Sequence, residues 1–325
     1  GQILFYSTLG SFLGAVVTTI VFMNWIGVPY TACITLLSLF ILVFVLNQGA
    51  IAPRIVACIF LMIGMGLNSP PILRANNLVS SNAYNFVQVF DHPGKVPTKI
   101  IKLNGAFSSS VFVGETDEAL PMAYAEYIEK RFVQPIRKLG PDAKVLILGA
   151  GGFTIGRRNH TSQITYVDID PNLKEVVEEE FLKEKLGKNK TFIAQPARSY
   201  LMETDEQFDL IILDIGKGLT GSPEHLVTQE FFGQVKARIK PGGIVLGHYY
   251  VSPLMDNPYA RNLDTTIKSV FPNISRVIID GYNPWAEEKY NTSVVYIYKN
   301  HQGAVHTIYT DVLNKASLDK GSSLY

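Results

Sequence analysis

The sequence predicts an α/β protein. A mainly parallel, Rossmann-like sheet is preceded by a small antiparallel β domain and by transmembrane helices at the N-terminus. Three observations predict it. Charge is segregated: before Asp91 there is no acidic residue, and the only basic ones are Arg54 and Arg74. From Lys144 onward, short apolar runs alternate with longer mixed segments, the pattern of parallel strands covered by helices on both faces. Between these regions lie three short strand-like runs punctuated by Pro-Gly and Asn-Gly turns.

Residues 1–68 form the transmembrane region, with two to three helices. "ILFYSTLGSFLGAVVTTIVFMNWIGV" is of spanning length, "TACITLLSLFILVFVL" suffices with its flanks, and "IVACIFLMIGMGL" is shorter; crossing a bilayer takes roughly 20 apolar residues. Buried helices of a large soluble core are the rival reading, but such cores rarely hold uncharged runs this long and this closely spaced. With no basic leader segment and more than one apolar run, a signal peptide is not the expected reading. The chain begins at Gly1 without an initiator Met, which fits a processed or fragmentary chain with further spans before it. Both cysteines, Cys33 and Cys58, fall inside apolar runs and read as small embedded side chains.

Residues 69–80, rich in Pro, Asn and Ser, are expected to be a linker. The small β domain covers 81–118, with "NFVQVFD", "TKIIKLNG" and "SSVFVG" as strands. The Rossmann domain covers 119–325. It opens on a helix, "ALPMAYAEYIEKRFVQPIRKLG", and continues through strands "KVLILGA", "QITYVDID", "TFIAQ", "FDLIILDI" and "GGIVLGHYY". Helices at "PNLKEVVEEEFLKEKLG" and "TQEFFGQVKARIKPGG" connect them, and "SRVIIDGY" with "SVVYIYKN" closes the sheet as an antiparallel edge pair. A net charge of +1 excludes the basic excess of a nucleic-acid binder.

The chemistry gathers at strand ends. "VLILGAGGFTIG" runs from a strand into glycines at 149, 151, 152 and 156, which permit a tight turn and close approach to a ligand. The next strand ends in "VDID", placing Asp168 about 20 residues beyond the first glycine, where an acid grips ribose hydroxyls. Asp170, in the same motif, is grouped with Gly149, Gly151, Gly152 and Asp168 as donor-binding. A glycine turn and a surface acid in another α/β fold would present the same residues. Asp214 ends "FDLIILD" at the carboxyl edge where such sheets bind ligands, although a loop-tying acid would look alike. Tyr124 and Glu126, on the first helix, and His248 with Tyr249, ending the fifth strand, are expected to face the same cleft. His248 fits a satisfied core histidine equally well. The histidines show no metal-ligand spacing, so no metal is expected.

Through "YAEYIEK", "VLILGAGGFTIG", "YVDIDPNL", "ARSYL", "DLIILDIGKG", "PEHLVTQEFF" and "KPGGIVL", the soluble part resembles the spermidine synthase (polyamine aminopropyltransferase) family. In particular it resembles the membrane-fused branch, in which transmembrane helices precede the synthase-like domain. The resemblance implies an S-adenosylmethionine methyltransferase-type sheet and transfer of an aminopropyl group from decarboxylated S-adenosylmethionine to a small amine. It gives the Gly149–Gly152 loop to the nucleoside and thioether, Asp168 to the ribose, Asp214 to the attacking amine and Tyr124 to the amine site. An alkylammonium is no nucleophile, so a carboxylate is needed to help deprotonate and orient it.

Three positions depart from the family pattern. The second acid, three residues after Asp214, is Lys217, which would repel a diamine's far ammonium. The acid before "ARSYL" is Pro196, and the glutamine after Tyr124 is Ala125. The leading expectation is a membrane-anchored aminopropyltransferase in the inner or plasma membrane, its soluble domain facing the cytoplasm and its partners a small amine and the lipid bilayer. The alternatives are a methyltransferase using S-adenosylmethionine, whose carboxylate Lys217 would pair, and a non-catalytic subunit or scaffold of a membrane complex.

Overall fold

A computed structural model describes residues 1–47, 49–114, 119–216, 221–279 and 291–300. The N-terminal run is helical from α1 (Gln2–Val16) through a widened π turn at 17–22 into α2 (Met23–Leu46), a 45-residue stretch holding an 18-residue window of mean hydropathy 2.3, long and apolar enough to cross a membrane. A shorter apolar helix, α3 (Ile51–Leu67), packs back against α2, where Gly64 accommodates Leu36. The run is broken once. Gly27 takes φ 76° and ψ 173°, two residues before Pro29, whose ring clashes with the carbonyl four residues back and supplies no N–H. Thr31 Oγ1 then donates to the Gly27 carbonyl at 2.7 Å and restarts the helix.

The break separates the two apolar runs that the sequence distinguishes, and it is seated on the small sheet: a β-carbon at Gly27 would overlap the carbonyl oxygen of Ser81. The segment expected as a linker carries α4 (Pro70–Ala75) and a first strand, β1 (Leu78–Ser81). With β2 (Phe86–His92), β3 (Thr98–Leu103) and β4 (Ala106–Phe112) it forms an antiparallel meander in sequence order.

The helix expected over 119–140 is α5 (Ala123–Ile128), a π turn over 129–133, α6 (Gln134–Ile136) and a final 3₁₀ turn. The pitch widens just before Pro135, which has no N–H to bond back. The main sheet contains β5 (Lys144–Leu148), β6 (Gln163–Asp168), β7 (Lys190–Ala194), β8 (Phe208–Leu213), β9 (Ile239–Val251), β10 (Ser275–Ile279) and β11 (Thr292–Lys299), in the order β10-β11-β9-β8-β5-β6-β7. β5 to β9 are mutually parallel, and β11 runs antiparallel between β9 and β10. This is the mostly parallel α/β sheet of the expected class.

Connections on the covering faces are α7 (Leu173–Val176, continued by a π turn to Phe181), α8 (Ala197–Glu203), α9 (Gln229–Ala237) and α10 (Pro258–Val270). Two helix ends differ from expectation. α7 stops at Phe181, and β9 begins at Ile239, so "IKPGG" is strand and not helix; Ile239 pairs Phe208 and Gly242 takes a positive φ. The sheet's two faces bury separate apolar clusters. Ile147, Tyr166 and Ile212 face α5, while Leu146, Leu148 and Ile211 face α8 and α9.

Candidate active site

The order in which the parallel strands are laid down switches sides between β5 and β8. β6 and β7 extend one way from β5, and β8 and β9 the other, so the loops after β5 and β8 open a crevice at the carboxyl edge. Asp214 follows β8 directly. Its N–H donates to the Leu148 carbonyl at 2.9 Å, locking the end of β8 to the end of β5.

Both Asp214 oxygens are engaged. Tyr124 Oη on α5 donates to Oδ2 at 3.2 Å, and His248 Nδ1 on β9 lies 2.9 Å from Oδ1. The two rings stack, with centroids 3.6 Å apart and planes 7° from parallel. His248 Nε2 is 3.1 Å from Ser293 Oγ on β11. Burial, then the Asp214 charge and its hydrogen bond, push the Tyr124 phenol well above its ordinary pKa, so it stays a proton donor. Asp214 and His248 retain partial side-chain exposure, 21% and 14%.

On the other side of β5, Asp168 ends β6, about 10 Å from Asp214 by two strand spacings. Its Oδ2 accepts Ala150 N–H at 3.0 Å and its Oδ1 accepts Asp170 N–H at 3.1 Å. Burial raises its pKa above the ordinary carboxylate value, and the backbone donors only partly offset this. A carboxylate has about four acceptor sites, so Asp168 keeps capacity for hydroxyl donors. Gln195 N–H donates to the Asp168 carbonyl at 2.8 Å, and Pro196 beside it caps α8 without a side-chain hydrogen bond.

The glycine loop is tight because protein surrounds it. Gly149, at φ +90°, leaves no space for a β-carbon against the Asp214 carbonyl, and one at Gly152 would meet Phe181 and Ser109. One at Gly151 would approach the Ser108 and Ser109 hydroxyls. Gly152 N–H donates to Ser109 Oγ at 2.9 Å, and Gly156 N–H to buried Glu129 at 2.8 Å. The small sheet thus forms one wall of the loop.

Three expected residues are used differently. Asp170, 1% exposed, receives Asn82 Nδ2 at 2.7 Å on one oxygen and Asn85 Nδ2 at 2.8 Å on the other. Asn172 N–H adds a third bond at 3.0 Å, so Asp170 clamps the small sheet to the main one, with both of its oxygens held by protein donors. Glu126 does not reach the cleft. Residues two apart on a helix point in different directions, and Glu126 accepts from Leu120 N–H and Arg158. Tyr249 follows His248 on a strand, so it turns to the opposite face and packs buried against Tyr296. Lys217 lies outside the described residues.

Sequence reasoning missed Ser109, Asn82, Asn85, Glu129 and Ser293. The run of three serines in β4 was a usable signal, since serines on an inward strand face need a partner. The two asparagines were hidden by the linker-like composition around them.

Residues 124–289 match the spermine/spermidine synthase domain family. The chain is similar to polyamine aminopropyltransferase 2 of Pseudomonas aeruginosa, 28% identical over 212 residues, covering 62% of this chain and 54% of that protein. It is also similar to the polyamine aminopropyltransferase of Sulfolobus acidocaldarius, 30% identical over 141 residues, 40% of this chain and 46% of that one. The chain therefore spans about half the length of the curated relatives it matches. Among solved structures, a probable spermidine synthase from Corynebacterium glutamicum superposes with a TM-score of 0.55 at 18% identity, covering 70% of this chain and 80% of that one. Spermidine synthase from Thermotoga maritima gives 0.51 at 18%, covering 68% and 71%. At these identities the structures establish a common fold.

Proposed function

The chain belongs to the spermine/spermidine synthase family, and from that premise we propose that it is a membrane-anchored transferase that moves an aminopropyl group from decarboxylated S-adenosylmethionine to a small amine. The observation that carries the proposal is the Asp214 carboxylate, held by Tyr124 and His248 at the switch point beside the glycine loop. Asp168 would accept the ribose hydroxyls, and the Gly149–Gly152 loop would pack the nucleoside and thioether.

Asp214 would accept a proton from the ammonium and hold the freed amine. The nitrogen lone pair forms a bond to the propyl carbon attached to sulfur. The C–S pair leaves to the sulfonium, which becomes a neutral thioether; the new secondary amine stays protonated as an ammonium, and Asp214 returns the proton it took to solvent. The donor brings its own leaving-group activation, so the protein's contribution is positioning. No metal enters this scheme.

The long apolar helix, with exposed Trp25 and Tyr30 flanking its break, supports anchoring in a bilayer with that break at the interface. The soluble part would then lie on the cytoplasmic side, where adenosyl donors are made. The domain division is proposed as membrane region, small sheet from Leu78 and main sheet from 119 onward.

The test is turnover of the full-length chain in detergent with the decarboxylated donor and putrescine, beside S-adenosylmethionine as donor. Aminopropyl transfer that Asp214→Asn abolishes supports the reading. Background turnover with both substrates saturating rejects it. Lys217→Asp should raise putrescine turnover tenfold or more, because it replaces a charge that repels a diamine's far ammonium with one that attracts it. If the donor is S-adenosylmethionine instead, the same change should weaken its binding.

A further inference from the structure

We propose that His248 is the positioning residue of this site: it donates from Nδ1 to Asp214, with Ser293 securing the far edge of its ring. The inference rests on the aminopropyl-transfer reading for what Asp214 does, though not for how Asp214 is held.

The network assigns the ring's protons. An ionised carboxylate only accepts hydrogen bonds, so the Nδ1 that lies 2.9 Å from Asp214 Oδ1 must carry a hydrogen. In the neutral ring Nε2 is then an acceptor, and Ser293 Oγ lies 3.1 Å from it. A hydroxyl can donate or accept, so Ser293 also remains a partner if the ring is protonated. Strand register makes the contact. His248 sits opposite Val295, which places Ser293 two residues along β11 on the same face, a diagonal neighbour.

The ring is thus fixed at both edges, and Tyr124 covers one face at 3.6 Å. Each of the stacked rings donates to a different oxygen of Asp214. That sets the carboxylate plane and leaves roughly two of its four acceptor sites for an ammonium. Without His248 the carboxylate could rotate about Tyr124, and loss of orientation in a positioning site costs rate more than affinity.

Ser293, His248 and Asp214 also stand in the order of a hydrolytic triad. Ser293 is paired on one side with Tyr250 and on the other with Ile279. Its backbone is therefore committed to the sheet and does not offer the N–H donors that an oxyanion requires. The geometry favours positioning.

The experiment uses the full-length chain in detergent. Asparagine carries an amide nitrogen near the place of Nδ1, and glutamine carries one near the place of Nε2. His248→Ala should lower aminopropyl turnover by about tenfold or more while the affinity for methylthioadenosine stays unchanged. His248→Asn should restore most of the loss, and His248→Gln should not. Equal rates in wild type and His248→Ala, or rescue by glutamine in place of asparagine, would overturn the inference. Nitrogen NMR of labelled histidine gives a readout independent of turnover: His248 should carry a hydrogen on Nδ1, and a bare Nδ1 also overturns the inference. If the wild type shows no aminopropyl transfer, the activity reading falls, and the ring spectrum still decides how Asp214 is held.

Discussion

Gly149 lies so close to the backbone of Asp214 that a β-carbon on it would overlap the Asp214 carbonyl oxygen. The glycine loop and the acid are therefore one assembly, with β5 and β8 drawn together at the crevice by the bond from Asp214 N–H to Leu148.

Gly149→Ala should be among the most destabilising single changes in the chain. Alanine disfavours the φ of +90°, and its β-carbon must also displace main chain. A loss of about 2–4 kcal/mol is expected, to be read by denaturant unfolding in detergent. A loss below about 0.5 kcal/mol, typical of surface changes, would show that the loop relaxes freely.

Tyr124→Phe removes one of the two donors to Asp214 and keeps the stacked ring. A hydrogen bond to a charged group is worth about 1.5–3 kcal/mol, so turnover should fall at least tenfold while the melting temperature moves little. Steady-state kinetics beside a thermal melt separate these quantities. Unchanged turnover would mean that the phenol does not orient the acid.

The Asp170 clamp makes a stability prediction. Asn85→Ala leaves one oxygen of a fully buried carboxylate without its amide donor, at a cost on the order of 2–3 kcal/mol. Hydrogen exchange should quicken across β1 to β4, while β5 to β8 change less. Uniform exchange throughout would argue against the clamp.

Asp168 gives a pH prediction whose sign runs opposite to that of an ordinary stabilising acid. Burial raises its folded pKa, so the ligand-free native state holds this proton more tightly than the unfolded chain does. Ionised Asp168 therefore carries a stability penalty above its folded pKa, and that penalty disappears as pH falls below the ordinary carboxylate value, about 3.9. Ribose hydroxyls need the ionised form. Donor affinity measured by calorimetry should accordingly weaken as pH falls through the raised folded pKa, starting at less acidic pH than an exposed aspartate would give. Asp168→Asn should bind more weakly and without that dependence. A parallel pH profile in both proteins would remove Asp168 from the donor contacts.

What could be read from the sequence was what local patterns encode. The run from β5 into Gly149, the acid ending β6 and Asp214 after β8 are each set by a few neighbouring residues, and the structure brings them to one edge of the sheet. Partners supplied from far along the chain were not legible. Nothing near Asp170 announces that Asn82 and Asn85 will occupy its oxygens, and nothing near His248 announces Ser293. Glu126 and Tyr249 were misread for a simpler reason. They sit one or two residues from true site residues, and helix and strand geometry turns them away.

The seat of Gly27 on Ser81 has a consequence for how the molecule moves. A catalytic unit on a flexible leash would tumble independently of its anchor, and its fluorescence anisotropy would report a small body. Here the helix break rests on the strand end that leads directly into Asn82 and the Asp170 clamp. If the apolar helix sits in a bilayer as proposed, rotational diffusion of the crevice should therefore follow that of the surrounding micelle or bilayer. The mouth of the site would keep a constant tilt to the lipid surface, and a bulky residue at position 27 would set it free.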